Sequence, residues 1–136
     1  MFVFGTEPMI LRTGCLKTSA RLRDDALDVT RGSGTGDGLA FAPSAALLAW
    51  AKSEGRAGRL EEAWPGYRDR FLDEMIVSAR ENPMAWRRLV ERESVTLLCY
   101  CQNPLRCHRS LLIPLIRVYA NDRPVVVYDG EMVDES

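Results

Sequence analysis

The chain has 136 residues, 46% hydrophobic and 27% charged, with a formal net charge of −1 at pH 7. Those values are ordinary for a soluble globular protein and predict a single compact domain over residues 1–136. They give no bulk-charge signal for non-specific nucleic-acid binding, and no run approaches the roughly 20 apolar residues that span a bilayer.

The first residues, "MFVFGTEPMI", lack a basic region and a long apolar stretch, so they do not read as a secretory signal. A cytoplasmic location with reduced cysteines is the expectation. "PMILRTGCL" (8–16) reads as a first strand. "ALDVTRGS" (26–33) reads as a second, running into the glycine-rich "GSGTGDG". That stretch lacks the Lys-Ser/Thr of a phosphate-binding P-loop, and its composition predicts a flexible loop. "APSAALLAWAKSEG" (42–55) predicts a helix capped by Ser44 and ended by Gly55. "WPGYRDRFLDEMIVSARE" (64–81) predicts another, with Tyr67, Phe71 and Met75 on one apolar stripe. "NPMAWRRLVERE" (82–93) opens with Asn82 as cap and Pro83 at the first helical position, and turns Trp86, Leu89 and Val90 inward.

"VTLLCYC" (95–101) is apolar without alternation, as in a strand buried on both faces of a parallel sheet. "CHRSLLIPLIRVYA" (107–120) predicts a helix with Leu111, Leu112, Leu115 and Ile116 inward. Pro114 requires either a kink or a regular start nearer Ser110. "RPVVVYDGEM" (123–132) reads as a last strand, and the tail 133–136 as acidic and loose. Strands alternating with helices predict an α/β protein, its mainly parallel sheet flanked by helices.

Three of the four cysteines and the only histidine fall between Cys99 and His108. A parallel strand feeding a helix places its connection at the carboxyl edge of the sheet, where ligands of open α/β sheets bind. Cys107 and His108 then stand at a helix N-terminus, whose N–H groups favour an anion and lower a thiol's pKa. Cys107 is thus expected to be partly accessible and activated, with Cys99 buried mid-strand and Cys101 between. The spacing C-x-C-x5-C-H is not that of paired zinc knuckles, so no metal is expected. A tyrosine-phosphatase-like loop, with arginine six positions after the cysteine, is also absent: Cys101 is followed there by Cys107, and Cys107 by Ile113. The 18 basic residues are all arginine except Lys17 and Lys52; arginine suits phosphate and carboxylate, although GC-rich codon usage produces the same bias.

"VTLLCYCQNPLRCHRSLLIPLI" resembles the C-terminal signature of the family known as domain of unknown function 488, in which a strand ends in "LLC" and a polar loop leads to "CHRSLL". "ALDVTRGS" resembles the family's second strand, "FAPSAALLAW" its "LAPS-x-x-L" helix start and "YRDRFLDEM" its "Y-x-x-x-Y/F" helix, and "ILRTGCL" its first strand more weakly, covering roughly residues 9–130. Pro114, Cys101 after Tyr100, and "GSGTGDG" depart from the pattern. The resemblance implies the α/β fold and the place of the site rather than a reaction.

The sequence therefore leads to a sheet-edge pocket for an anionic small molecule, a nucleotide or other phosphorylated compound, with no cofactor. Arg31, Cys101, Asn103, Arg106, Arg109 and Ser110 are the expected ligand-binding residues. If chemistry follows, as in a transferase or hydrolase, Cys107 is the nucleophile and His108 the acid/base. Two alternatives stay open. One is a non-catalytic interaction module, touching nucleic acid through a local arginine face. The other is a domain stabilised by metal at the Cys/His cluster.

Overall fold

The structure, a computed structural model, describes residues 7–100 and 107–128. Four strands, β1 (Met9–Cys15), β2 (Ala26–Asp28), β3 (Ser94–Cys99) and β4 (Val125–Tyr128), form one sheet in the order β2-β3-β1-β4. Every neighbouring pair is parallel. The α-helices are α1 (Ala45–Arg56), α2 (Leu60–Glu81), α3 (Pro83–Val90) and α4 (His108–Ala120), with 3₁₀ turns at Ser19–Leu22 and Gly36–Phe41. This is the expected α/β architecture with a parallel sheet. The expected residues 129–132 of the last strand and the tail 133–136 lie outside the described residues.

β3 is interior, between β2 and β1, as its unbroken apolar run implied. Successive strand side chains point to opposite faces, so one face carries Val95, Leu97 and Cys99 and the other Thr96 and Leu98. All five are buried. On the first face Val95 and Leu97 join Met9 and Leu11 of β1. These meet Leu47 of α1, Phe71 of α2, Trp86 of α3 and Leu112 and Ile116 of α4 in one buried cluster. On the second face β1 has Gly14 because nothing larger fits: a Cβ there would stand 2.7 Å from the Ala20 Cβ and 3.2 Å from Leu98. The Ser19–Leu22 turn packs against that gap. This face is also more polar. Thr96 donates to Asp25 at 2.8 Å, and Arg12 approaches the same carboxylate at 3.8 Å.

Several boundaries differ from the sequence pattern, each for a local reason. β2 ends at Asp28 rather than near residue 33. The Asp28 carboxylate accepts from the Thr30 N–H (2.9 Å), the Thr30 hydroxyl (2.6 Å) and the Ser33 hydroxyl (2.5 Å), turning the chain out of the sheet. The glycine-rich stretch that follows is not a loose linker. The Gly34 N–H closes a turn on the Thr30 carbonyl at 3.0 Å, Gly34 and Gly38 are buried, and Gly36 takes a φ of 56°.

Ser44 caps α1 as expected, accepting from the Leu47 N–H at 3.1 Å. The helix nevertheless passes Gly55, and the left-handed glycine beyond it is Gly58, with φ 75°. α2 begins four residues before Trp64 and runs through Pro65; the carbonyl that Pro65 leaves without its N–H belongs to Glu61, in the first turn, where the cost is small. Asn82 precedes Pro83 as expected but makes no side-chain cap, because its own N–H still closes α2 on the Ser78 carbonyl at 2.7 Å. α4 is regular from His108 and carries Pro114 within it.

Candidate functional site at the carboxyl edge of the sheet

The parallel register sets Cys15 of β1 beside Cys99 of β3, so two strands end in cysteine at one edge. α4 starts at the same edge. Cys107 is its N-cap residue, in extended conformation (φ −139°, ψ 145°), and its side chain makes no capping bond. His108 and Arg109 are the first two helical residues. Cys101, Asn103 and Arg106 lie outside the described residues.

The Cys107 sulfur is 2.7 Å from that of Cys99 and 3.9 Å from His108 Nδ1. No disulfide joins the two. Cys99 closes β3 instead of lying mid-strand, which is why the poor-looking sequence spacing still converges. Cys99, Cys107 and His108 place one potential metal-ligand atom each within 4.8 Å of one another. The expected accessibility of Cys107 is corrected: it is 1% exposed, no more than Cys99. Burial therefore does not separate the two thiols.

His108 is held from two sides. Nε2 lies 2.8 Å from the Val29 carbonyl, which can only accept, so the ring proton sits on Nε2 and the Nδ1 lone pair faces the sulfurs. Phe71 of α2 meets the ring edge-on at 5.5 Å. Burial pushes the His108 pKa below its ordinary value; the nearby Cys99 and the Val29 bond pull upward, the Arg109 charge pulls downward, and the net direction is down. The folded ring is therefore neutral when an unfolded one would already take a proton. Stability from this group is fully present above the unfolded value of about 6.5, and falls below it by at most about 1.4 kcal/mol per pH unit, until the lowered folded pKa is reached. Because the chain has one histidine, His108→Gln should flatten the slope of urea-unfolding free energy between pH 7 and pH 5. Equal slopes for wild type and variant would assign that dependence elsewhere.

Arg109 is the largest of the fully buried side chains, and its guanidinium donates to the Gly14 carbonyl at the end of β1. A cation taken out of water is costly unless bonded, so this bond ties α4 to the sheet edge. The Ser110 hydroxyl folds back onto the Cys107 carbonyl at 2.6 Å and tightens the first turn. Arg31 does not turn toward the cluster. It donates through Nε to the Pro43 carbonyl (2.9 Å) and through a terminal nitrogen to that of Ala42 (3.4 Å). Other arginines are also engaged with the protein's own oxygens: Arg88 grips Asp37 with two bonds of 2.7 Å, and Arg123 holds the Val90 and Arg92 carbonyls.

Sequence reasoning missed the backbone groups that aim the site, the carbonyls of Gly14 and Val29, because any residue could supply them. It also set Cys99 aside as a packing residue. A readable signal existed: "ILRTGC" and "VTLLC" both end in cysteine, so in-register parallel pairing brings the two ends together.

Fold and edge together define a small parallel α/β protein whose interior strand hands over to a helix opening in Cys-His-Arg. A family model described as DUF488-N3a, "Active DUF488-N3 subclade", matches residues 39–120, which span α1 to α4 and include β3. The chain belongs to the DUF488 family. Neither a curated protein nor a solved structure shows a significant match.

Proposed function

We propose that this protein is an enzyme acting on an anionic small molecule, a nucleotide or another phosphorylated compound, at the carboxyl edge of its sheet. The observation that carries the reading is the Cys107 thiol at the N-cap of α4, 3.9 Å from His108 Nδ1, with the Arg109 guanidinium buried in the first turn of the same helix. Helix N–H groups and a guanidinium out of water form a fixed positive field, in which negative charge is worth more than at the surface. Cys107 is the nucleophile. Its proton passes to His108 Nδ1, and the imidazole returns it to the leaving group. The Val29 bond sets the tautomer this requires. Cys101, Asn103, Arg106 and Ser110 complete the proposed set, and Arg31 joins it only by releasing the Pro43 and Ala42 carbonyls that it holds. A thiol so buried meets substrate through local opening of the edge. The word "active" in the matched subclade's description supports a retained reaction.

Calorimetry against inorganic phosphate, pyrophosphate, and purine and pyrimidine nucleoside mono- and diphosphates tests the binding step. Wild type should bind at least one of them. Arg109→Lys keeps the charge but loses the planar fork, and should weaken that binding about tenfold or more with the circular dichroism spectrum unchanged. Binding of none of the panel by wild type, or equal affinity in a folded Arg109→Lys variant, would sink the proposal.

A further inference from the structure

Cys99 takes no part in capturing an anion, yet its sulfur is 2.7 Å from the Cys107 sulfur. Two sulfurs on one tetrahedral zinc ion stand roughly 3.8 Å apart, given Zn–S bonds of about 2.3 Å. A disulfide needs about 2.05 Å. At 2.7 Å the sulfurs are within non-bonded contact, and an S–S bond needs less than about 1 Å of further approach. Both positions also suit the bond. Cys99 is the last residue of β3 and Cys107 the cap of α4, so joining them breaks no sheet ladder and no helical turn.

We propose that Cys99 and Cys107 are a peroxide-oxidised dithiol pair, with Cys107 oxidised first and Cys99 resolving it. The proposal rests on the Cys107 thiolate of the proposed function and adds a role for the second cysteine. Hydroperoxides are the fitting oxidant class because hydrogen peroxide is small, and both thiols are 1% exposed. Cys107 gives its proton to His108 Nδ1, and the thiolate attacks one peroxide oxygen. The O–O bond breaks, the sulfur is oxidised to a sulfenic acid, and the other oxygen takes the imidazolium proton and leaves as water. Cys99 then attacks the Cys107 sulfur. The S–S bond forms, and the sulfenic hydroxyl leaves with the Cys99 proton as a second water. Two thiols and one peroxide thus become one disulfide and two waters, with two electrons passing to the peroxide. The disulfide uses up the proposed nucleophile, so oxidation silences the site and a dithiol reductant restores it.

The test uses the full chain in a Cys15→Ser/Cys101→Ser background, which removes the other two thiols. After hydrogen peroxide and alkylation under denaturing conditions, the tryptic peptide of residues 93–106 should appear joined to that of residues 107–109. The joined species should be two hydrogens lighter than the separate peptides and reversible by a dithiol. Adding Cys99→Ser should block the link and instead accumulate a Cys107 sulfenic acid, trapped by dimedone about tenfold more than in the parent. Three results would overturn the pair. Cys107 oxidised beyond the sulfenic state with Cys99 still alkylatable removes Cys99's role but leaves the proposed thiolate standing. A Cys107 inert to peroxide overturns both the pair and the nucleophile, whereas anion binding by calorimetry would still stand. A stoichiometric zinc ion whose removal is needed before any oxidation would make the pair a metal site.

Discussion

Phe71→Ala should cost about 3–5 kcal/mol of unfolding free energy, the usual range for deleting a buried aromatic ring. Phe71 is fully buried on α2, stacked on Tyr67 at 6.3 Å on one side and edge-on to His108 at 5.5 Å on the other. Its removal leaves a void against the imidazole that the sheet on one side and α2 on the other cannot collapse to fill. The loss should show as a lower urea midpoint with an unchanged slope. Phe71→Leu, which refills most of the volume, should cost well under half as much. The substitution has a second readout at the site. Water admitted beside His108 relieves the burial that lowers its pKa, so the single imidazole resonance should titrate closer to pH 6.5 in Phe71→Ala than in wild type. A wild-type titration curve in a destabilised Phe71→Ala would show that Phe71 packs the core without setting the environment of the ring.

Gly38→Ala should be nearly as damaging, about 3 kcal/mol or more, for the opposite reason. A Cβ at Gly38 would overlap the Asp28 carbonyl oxygen and stand 3.1 Å from its carbon. The obstacle is backbone, which cannot swing aside like a side-chain end. Asp28 ends β2 and directly precedes Val29, so relieving the clash moves the carbonyl that orients His108. Gly32→Ala is the control from the same stretch. A Cβ there meets nothing within 4 Å, and the change should stay within about 0.5 kcal/mol. Thermal unfolding of the two variants side by side checks the contrast. Equal stability would mean that the stretch is as pliable as its composition suggests.

The glycine-rich stretch shows where composition misleads. Seven residues with four glycines look like a linker, because sequence reveals the freedom of a glycine but not the neighbour that makes it necessary. Here two of the four are spaces that the backbone of residues 28–30 fills. The arginines teach the same lesson with charge. Their number suggested anion capture, yet Arg88, Arg123 and Arg31 hold the chain's own carboxylate or carbonyl oxygens. Of the arginines expected to bind ligand, Arg109 is described at the cluster itself.

Patterns of near neighbours determined much of this protein from sequence alone. The apolar run of β3, the four-residue stripe of Tyr67, Phe71 and Met75, the Ser44 cap and Pro83 at a helix start all express preferences that act within a few residues, and all appear in the structure. In the sequence Pro114 leaves the start of α4 open between Cys107 and Ser110, and the structure begins it at His108. Only the tertiary structure decided what the Cys-His-Arg motif meets. The register of β1 against β3 brings in the Gly14 carbonyl, the turn after β2 brings in that of Val29, and α2 brings in Phe71. Each is a contact across 37 or more positions of chain, made by a backbone group common to all residues or by a ring that looks like ordinary core. The meeting of Cys99 with Cys107 is shorter in sequence but equally tertiary. It depends on the strand ending where the helix begins, and on both sulfurs turning to the same side of the edge.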